Sequence, residues 1–102
     1  MTHHSLFMNL KNKIGIVTGG TKGIGRGIAE ALVGKGLSVC ISARKENEID
    51  EAVRRLNKTG QAIGFACDVR DYDQVKALIN HVVKELGGLD ILVNNADRKS
   101  VV

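Results

Sequence analysis

The stretch that decides the fold is Thr18-Gly19-Gly20-Thr21-Lys22-Gly23-Ile24-Gly25. It follows Lys13-Ile14-Gly15-Ile16-Val17, a short β-rich apolar run with the composition of a buried strand. From Gly23 the apolar period changes from that of a strand to that of a helix, with Ile24, Ile28, Ala31 and Leu32 predicted on the buried face. A strand thus enters a glycine turn and a helix leaves it. Gly19 permits a tight turn off the strand, Gly23 lets backbone N–H groups approach an anion, and Gly25 allows the helix to lie close to the sheet. The helix start supplies N–H donors and a partial positive charge, which suits a pyrophosphate. A phosphate loop of the Gly-Lys-Ser/Thr kind is excluded, because Lys22 is followed by Gly23.

Further along, Leu37 to Ala43 reads as a second strand and Ala62 to Cys67 as a third, with Leu89 to Asn94 as a fourth. Between them lie two more helical segments. The first carries Ile49, Val53 and Leu56 on one stripe, with acids early (Glu46, Glu48, Asp50, Glu51) and bases late (Arg54, Arg55, Lys58), as the helix dipole favours. The second opens on Asp71 and Gln74, the spacing of a capping box, and presents Val75, Leu78, Ile79, Val82, Val83 and Leu86. The order β-α-β-α-β-α-β with short loops predicts parallel strands and right-handed crossovers. The fold class is α/β, the N-terminal part of a doubly wound parallel sheet of Rossmann type.

Composition agrees with a globular α/β chain. Of 102 residues 43% are hydrophobic and 25% charged, with 12 Gly and no Pro. No apolar run approaches the ~20 residues of a membrane span, and residues 1–8 form a leader without the apolar stretch of a secretory signal, which makes the cytoplasm the expected compartment. Net charge is +4, but Lys and Arg are scattered and aromatics number only three, so a nucleic-acid partner is not expected. Cys40 and Cys67 both lie in apolar runs and read as buried free thiols, with no metal site.

The spacing Thr18-Gly19-x-x-x-Gly23-x-Gly25 resembles that of the short-chain dehydrogenase/reductase family. Two further matches carry the resemblance: Cys67-Asp68-Val69 after the third strand, and Leu89-Asp90-Ile91-Leu92-Val93-Asn94-Asn95-Ala96 at the fourth. The resemblance implies an oxidoreductase that interconverts a carbonyl and an alcohol by hydride transfer. It also implies a nicotinamide cofactor held by Thr18, Gly19, Thr21, Lys22, Gly23, Ile24, Gly25, Asp68, Val69, Asn95 and Ala96. The broad parent class is similar to the 3-oxoacyl-(acyl carrier protein) reductases. A homo-oligomeric parent acting on a small carbonyl or alcohol is expected.

Cofactor preference can be argued from charge. The second strand ends in Ala43 followed by Arg44, where an NAD-preferring site carries an acid for the ribose hydroxyl. A guanidinium there pairs with a 2′-phosphate, and Lys22 in the glycine turn offers a second cation. NADP(H) is therefore expected over NAD(H).

The resemblance also implies a catalytic Ser with a Tyr-x-x-x-Lys pair, and Tyr72-Asp73-Gln74-Val75-Lys76 has that spacing. It precedes the Asn94-Asn95-Ala96 motif, whereas the family's pair follows it, so Tyr72 reads as an ordinary helix-start residue. His81 reads as a surface residue on the same helix. No catalytic residue is assigned, and the chain is expected to be inactive alone: a cofactor-binding part spanning 9–96, or, as an alternative, a non-catalytic dinucleotide-binding module or sensor. The family-like sequence begins near Met8. Asp97-Arg98-Lys99-Ser100-Val101-Val102 reads as a non-family tail that the start of a common sequencing adapter can encode. The expectation is a longer gene cut short, which the coding DNA would test.

Overall fold

The computed structural model describes residues 10–95; the leader 1–8, Ala96 and the tail 97–102 lie outside the described residues. Seven elements alternate: β1 Ile14–Thr18, α1 Gly23–Gly34, β2 Ser38–Ala43, α2 Glu46–Leu56, β3 Gln61–Ala66, α3 Tyr72–Leu86 and β4 Ile91–Asn94. Their number, kind and order are those expected from the alternation of periods. The sheet runs β3-β2-β1-β4, and every neighbouring pair is parallel. Asp90 pins the start of β4 to β1, its backbone N–H donating to the Ile14 carbonyl (2.8 Å) and its carboxylate accepting from the Ile14 N–H (2.9 Å).

Side chains alternate across the strands, and the two faces build two cores. Val17, Val39 and Ile41 point to one side and pack with Ala29 and Val33 of α1 and Ile49, Ala52 and Leu56 of α2. Ile16 and Cys40 point to the other and meet Cys67 with Leu78 and Val82 of α3. Helices on both faces of a parallel sheet make the doubly wound layer structure that the element order implies. Both thiols are free and buried. Burial pushes Cys40 up to about 12 and raises Cys67 as well, which makes both inert side chains of the core.

Four local expectations are corrected. On α1 the buried line is Gly25, Ala29 and Val33, one residue round from the predicted stripe; Ile28 and Leu32 flank it, Ala31 is exposed, and Ile24 is 57% exposed. Size decides this. The helix seats against the turn at Gly25, where a Cβ would collide with the Gly19 carbonyl, and the larger Ile28 and Leu32 pack at the margins of the core. On α3 Asp71 caps the Asp73 and Gln74 N–H groups, but Gln74 does not return the bond to Asp71 N–H. That N–H already donates to the Asp68 carbonyl (3.0 Å), so Gln74 Oε1 accepts from Asp68 N–H instead (2.8 Å). Val83 on the same helix is 45% exposed rather than core, while His81 is half-buried and stacks on Phe65 with ring centroids 4.8 Å apart.

Candidate functional site

β1 and β4 are neighbours served by helices on opposite faces of the sheet, so their carboxyl ends border a crevice at the point where the winding reverses. Thr18 is the last residue of β1. It is buried, and its hydroxyl donates to Asn94 Oδ1 (3.0 Å) and accepts from Asn95 N–H (2.9 Å). Asn95 Nδ2 donates in turn to the Gly19 carbonyl (3.4 Å), while the Gly19 N–H reaches the Ser42 carbonyl of β2 (2.7 Å). Three strand ends are thereby fastened around one glycine. Thr18 serves the site by holding Asn94 and Asn95 in place.

The turn itself has the geometry that its glycines predict. Gly19 (φ 68°) and Gly23 (φ 63°) occupy the left-handed region, which side-chain-bearing residues avoid. A Cβ on Gly25 would collide with the Gly19 carbonyl oxygen and lie 2.6 Å from Asn95 Nδ2, so α1 can seat here only without a side chain. A Cβ on Gly23 would meet nothing within 4 Å: the outer side of the turn is clear. The side chain of the N-cap residue, Lys22, makes no cap hydrogen bond, and the first turn of α1 holds no acid. α2 carries Glu46 and Glu48 in its first turn, and α3 has the Asp71 cap with Asp73. Free N–H donors, a positive dipole end and open space above them suit a diphosphate.

The charged groups stand at the ends of β1, β2 and β3. Lys22 is 79% exposed and lies 3.8 Å from Glu48. Arg44, exposed just after β2, is near enough to Asp68 to favour its ionised form. Asp68 is held mainly by Arg70, whose guanidinium grips both carboxylate oxygens (3.0 and 2.9 Å) and whose N–H adds a third bond (3.0 Å). This fork brings the Asp68 carboxyl down to about 2. Thr21, Val69 and Asn95 are half-buried beside these groups, and Ile24 projects from the start of α1. Ala96 lies outside the described residues.

The structure therefore brings Thr18, Gly19 and Asn95 into one hydrogen-bonded cluster with Gly25 packed against it, Thr21, Lys22, Gly23 and Ile24 as its rim, and Arg44 beside Asp68 along the strand ends. Glu48 and Arg70 escape sequence reasoning. An acid in a first helical turn and a base after an Asp both read as ordinary surface charge, and only the packing of α2 against the turn gives Glu48 its place. Tyr72 is 74% exposed, with Lys76 Nζ over its ring 5.6 Å from the centroid.

Comparison with known proteins adds to this geometry. The short chain dehydrogenase family model matches residues 13–101, a match that continues beyond Ala96. The chain is 39% identical over 94 residues to a 3α-hydroxysteroid dehydrogenase of Mediterraneibacter gnavus, covering 89% of this chain and 38% of that protein. It is 42% identical over 89 residues to a 3-oxoacyl-(acyl-carrier-protein) reductase of Vibrio harveyi, covering 87% and 36%. The fold superposes on a hydroxysteroid dehydrogenase from Escherichia coli with a TM-score of 0.83 at 33% identity, over 88% of this chain and 39% of that one. For an actinorhodin polyketide ketoreductase with NADPH the TM-score is 0.80 at 40% identity, over 82% and 33%. The chain thus spans little more than a third of the length of these relatives.

Proposed function

Because this chain belongs to the short-chain dehydrogenase family, we propose that it is the cofactor-binding part of an NADP(H)-dependent oxidoreductase that interconverts a carbonyl and an alcohol. The nicotinamide cofactor supplies or accepts the hydride. The residues of this chain bind and orient it: the N–H groups at the start of α1 hold the diphosphate, Asp68 and Val69 border the adenine, and Asn95 lines the crevice toward the reacting end. The proton-transfer groups and the substrate contacts belong to the part of the relatives' length that this chain does not span, so the chain alone is inactive. The parent acts as a homo-oligomer on a small carbonyl or alcohol. Among the described residues no helix is long and apolar enough to cross a membrane, and a cytoplasmic location accords with that.

The observation that carries the preference for NADP(H) is the pair of exposed cations at the ends of β1 and β2, Lys22 and Arg44, with Ala43 where an acid would oppose a 2′-phosphate. The NADPH-bound ketoreductase neighbour supports the same reading. The test uses the adenosine half of the cofactor, whose proposed contacts all come from described residues. Titration of the 102-residue chain with adenosine 2′,5′-bisphosphate and with 5′-AMP, followed by amide NMR shifts, should favour the bisphosphate. Arg44→Asp should cut that preference about tenfold or more, since a charge-assisted pair contributes ~1.5–3 kcal/mol. An unchanged ratio would refute the assignment.

A further inference from the structure

α2 reaches across to the glycine turn with one side chain. Glu48 Oε1 accepts from the Thr21 hydroxyl (3.5 Å), and its Oε2 lies 3.8 Å from Lys22 Nζ. The Glu48 side chain is 30% exposed, far less than that of Lys22 at 79%, so the acid is the held partner and the lysine the movable one. Arg44, the other cation of the rim, has no ion pair within 4.0 Å among the described residues.

We propose that Glu48 is a specificity-determining residue: it competes with the ribose 2′-phosphate for Lys22 and so sets how strongly the site prefers a ligand with a 2′-phosphate over one without it. This rests on the reading of Lys22 and Arg44 as the phosphate-binding cations. A phosphate paired with Lys22 must either displace the carboxylate or share the ammonium with it. Sharing places two like-charged groups within several ångströms of each other, and displacement gives up an existing pair. Either way Glu48 lowers the gain from the phosphate without touching a ligand that lacks it. The effect is modest because Lys22 is so exposed: charges ~6 Å apart in water interact enough to change an equilibrium about threefold. Glu48 also steadies Thr21, so the carboxylate has a positioning role that must be separated from its charge.

Glu48→Gln separates them, since the amide oxygen still accepts from Thr21 while the charge is gone. The full chain, wild type and variant, is titrated with adenosine 2′,5′-bisphosphate and 5′-AMP by amide NMR, alone and in a Lys22→Met background. The expected result is a preference for the bisphosphate raised about threefold by Glu48→Gln, with 5′-AMP affinity unchanged and the rise abolished when Lys22 is Met. Equal shifts for both ligands would show a purely positioning Glu48 and overturn the proposal. So would a wild-type preference that Glu48→Gln leaves as it was, with the reading of the phosphate site intact. A chain that prefers neither ligand, with or without Glu48, overturns both.

Discussion

Gly25→Ala asks whether the close seating of α1 holds this site together. The added Cβ would collide with the Gly19 carbonyl oxygen, stand 2.8 Å from the Gly19 carbonyl carbon and 2.6 Å from Asn95 Nδ2. Carbon atoms pack at about 3.5–4.0 Å, so the start of α1 must back away by about 0.7 Å or more, and the obstacle is backbone that three bonded strand ends hold in place. A retreat of that size forfeits roughly a quarter to a half of the dispersion contact along the line it opens, here Ala29 and Val33 against the sheet. Overpacking of a tight site costs ~1–3 kcal/mol, and the upper end applies because the Asn95 amide can turn aside but the Gly19 carbonyl is backbone and cannot. In a domain of this size each kcal/mol moves the melting temperature by about 4–8 °C, so a fall of at least ~10 °C is expected in thermal unfolding followed by circular dichroism. Two neighbouring glycines are the controls. Gly27→Ala meets nothing within 4 Å and lies inside the helix, so it should stabilise by up to ~1 kcal/mol. Gly23→Ala is also unobstructed but has φ +63°, so it should cost ~1–2 kcal/mol through backbone strain alone. A Gly25→Ala chain that melts within about 2 °C of wild type would show that α1 does not depend on this close seating.

Thr18→Val keeps the shape of a buried residue and leaves Asn95 N–H and Asn94 Oδ1 without their partner; it should cost ~1–3 kcal/mol in urea unfolding and speed hydrogen exchange at Asn95. In the wild type the Asp68 carboxyl should titrate near 2 by NMR, and Arg70→Ala should return it toward the ordinary ~3.9. Because that folded value is depressed, the stability difference between the two proteins should be complete at neutral pH. It should shrink as pH falls from about 4 and vanish below about 2. Cys40 and Cys67 should resist a thiol reagent in the native chain and both react in denaturant, since burial raises both thiols; fast native labelling of either would contradict the packing of the α3 face.

Much of this was legible in one dimension because it depends on local chemistry. A change of apolar period marks each passage from strand to helix, and left-handed backbone needs a residue without Cβ, so Thr18 to Gly25 announced both the turn and the helix that follows it. The Asp71 cap is equally local. Contacts between elements were not legible. The α1 stripe turned by one residue because closest approach selects Gly25, Ala29 and Val33 over larger neighbours, and hydropathy cannot weigh a distance. Gln74 served Asp68 because the turn had already used Asp71 N–H. His81 found the Phe65 ring across the α3 interface. Glu48 and Lys22 are 26 positions apart, and no period joins them; they meet because α1 and α2 lie on one face of a parallel sheet. Sequence alone determined which segments are strands and helices and where the chain turns through left-handed glycines, since those follow from each residue's own conformational freedom. Tertiary structure decided which side chains meet around that turn, Glu48 beside Lys22 among them, since that depends on how closely the layers pack.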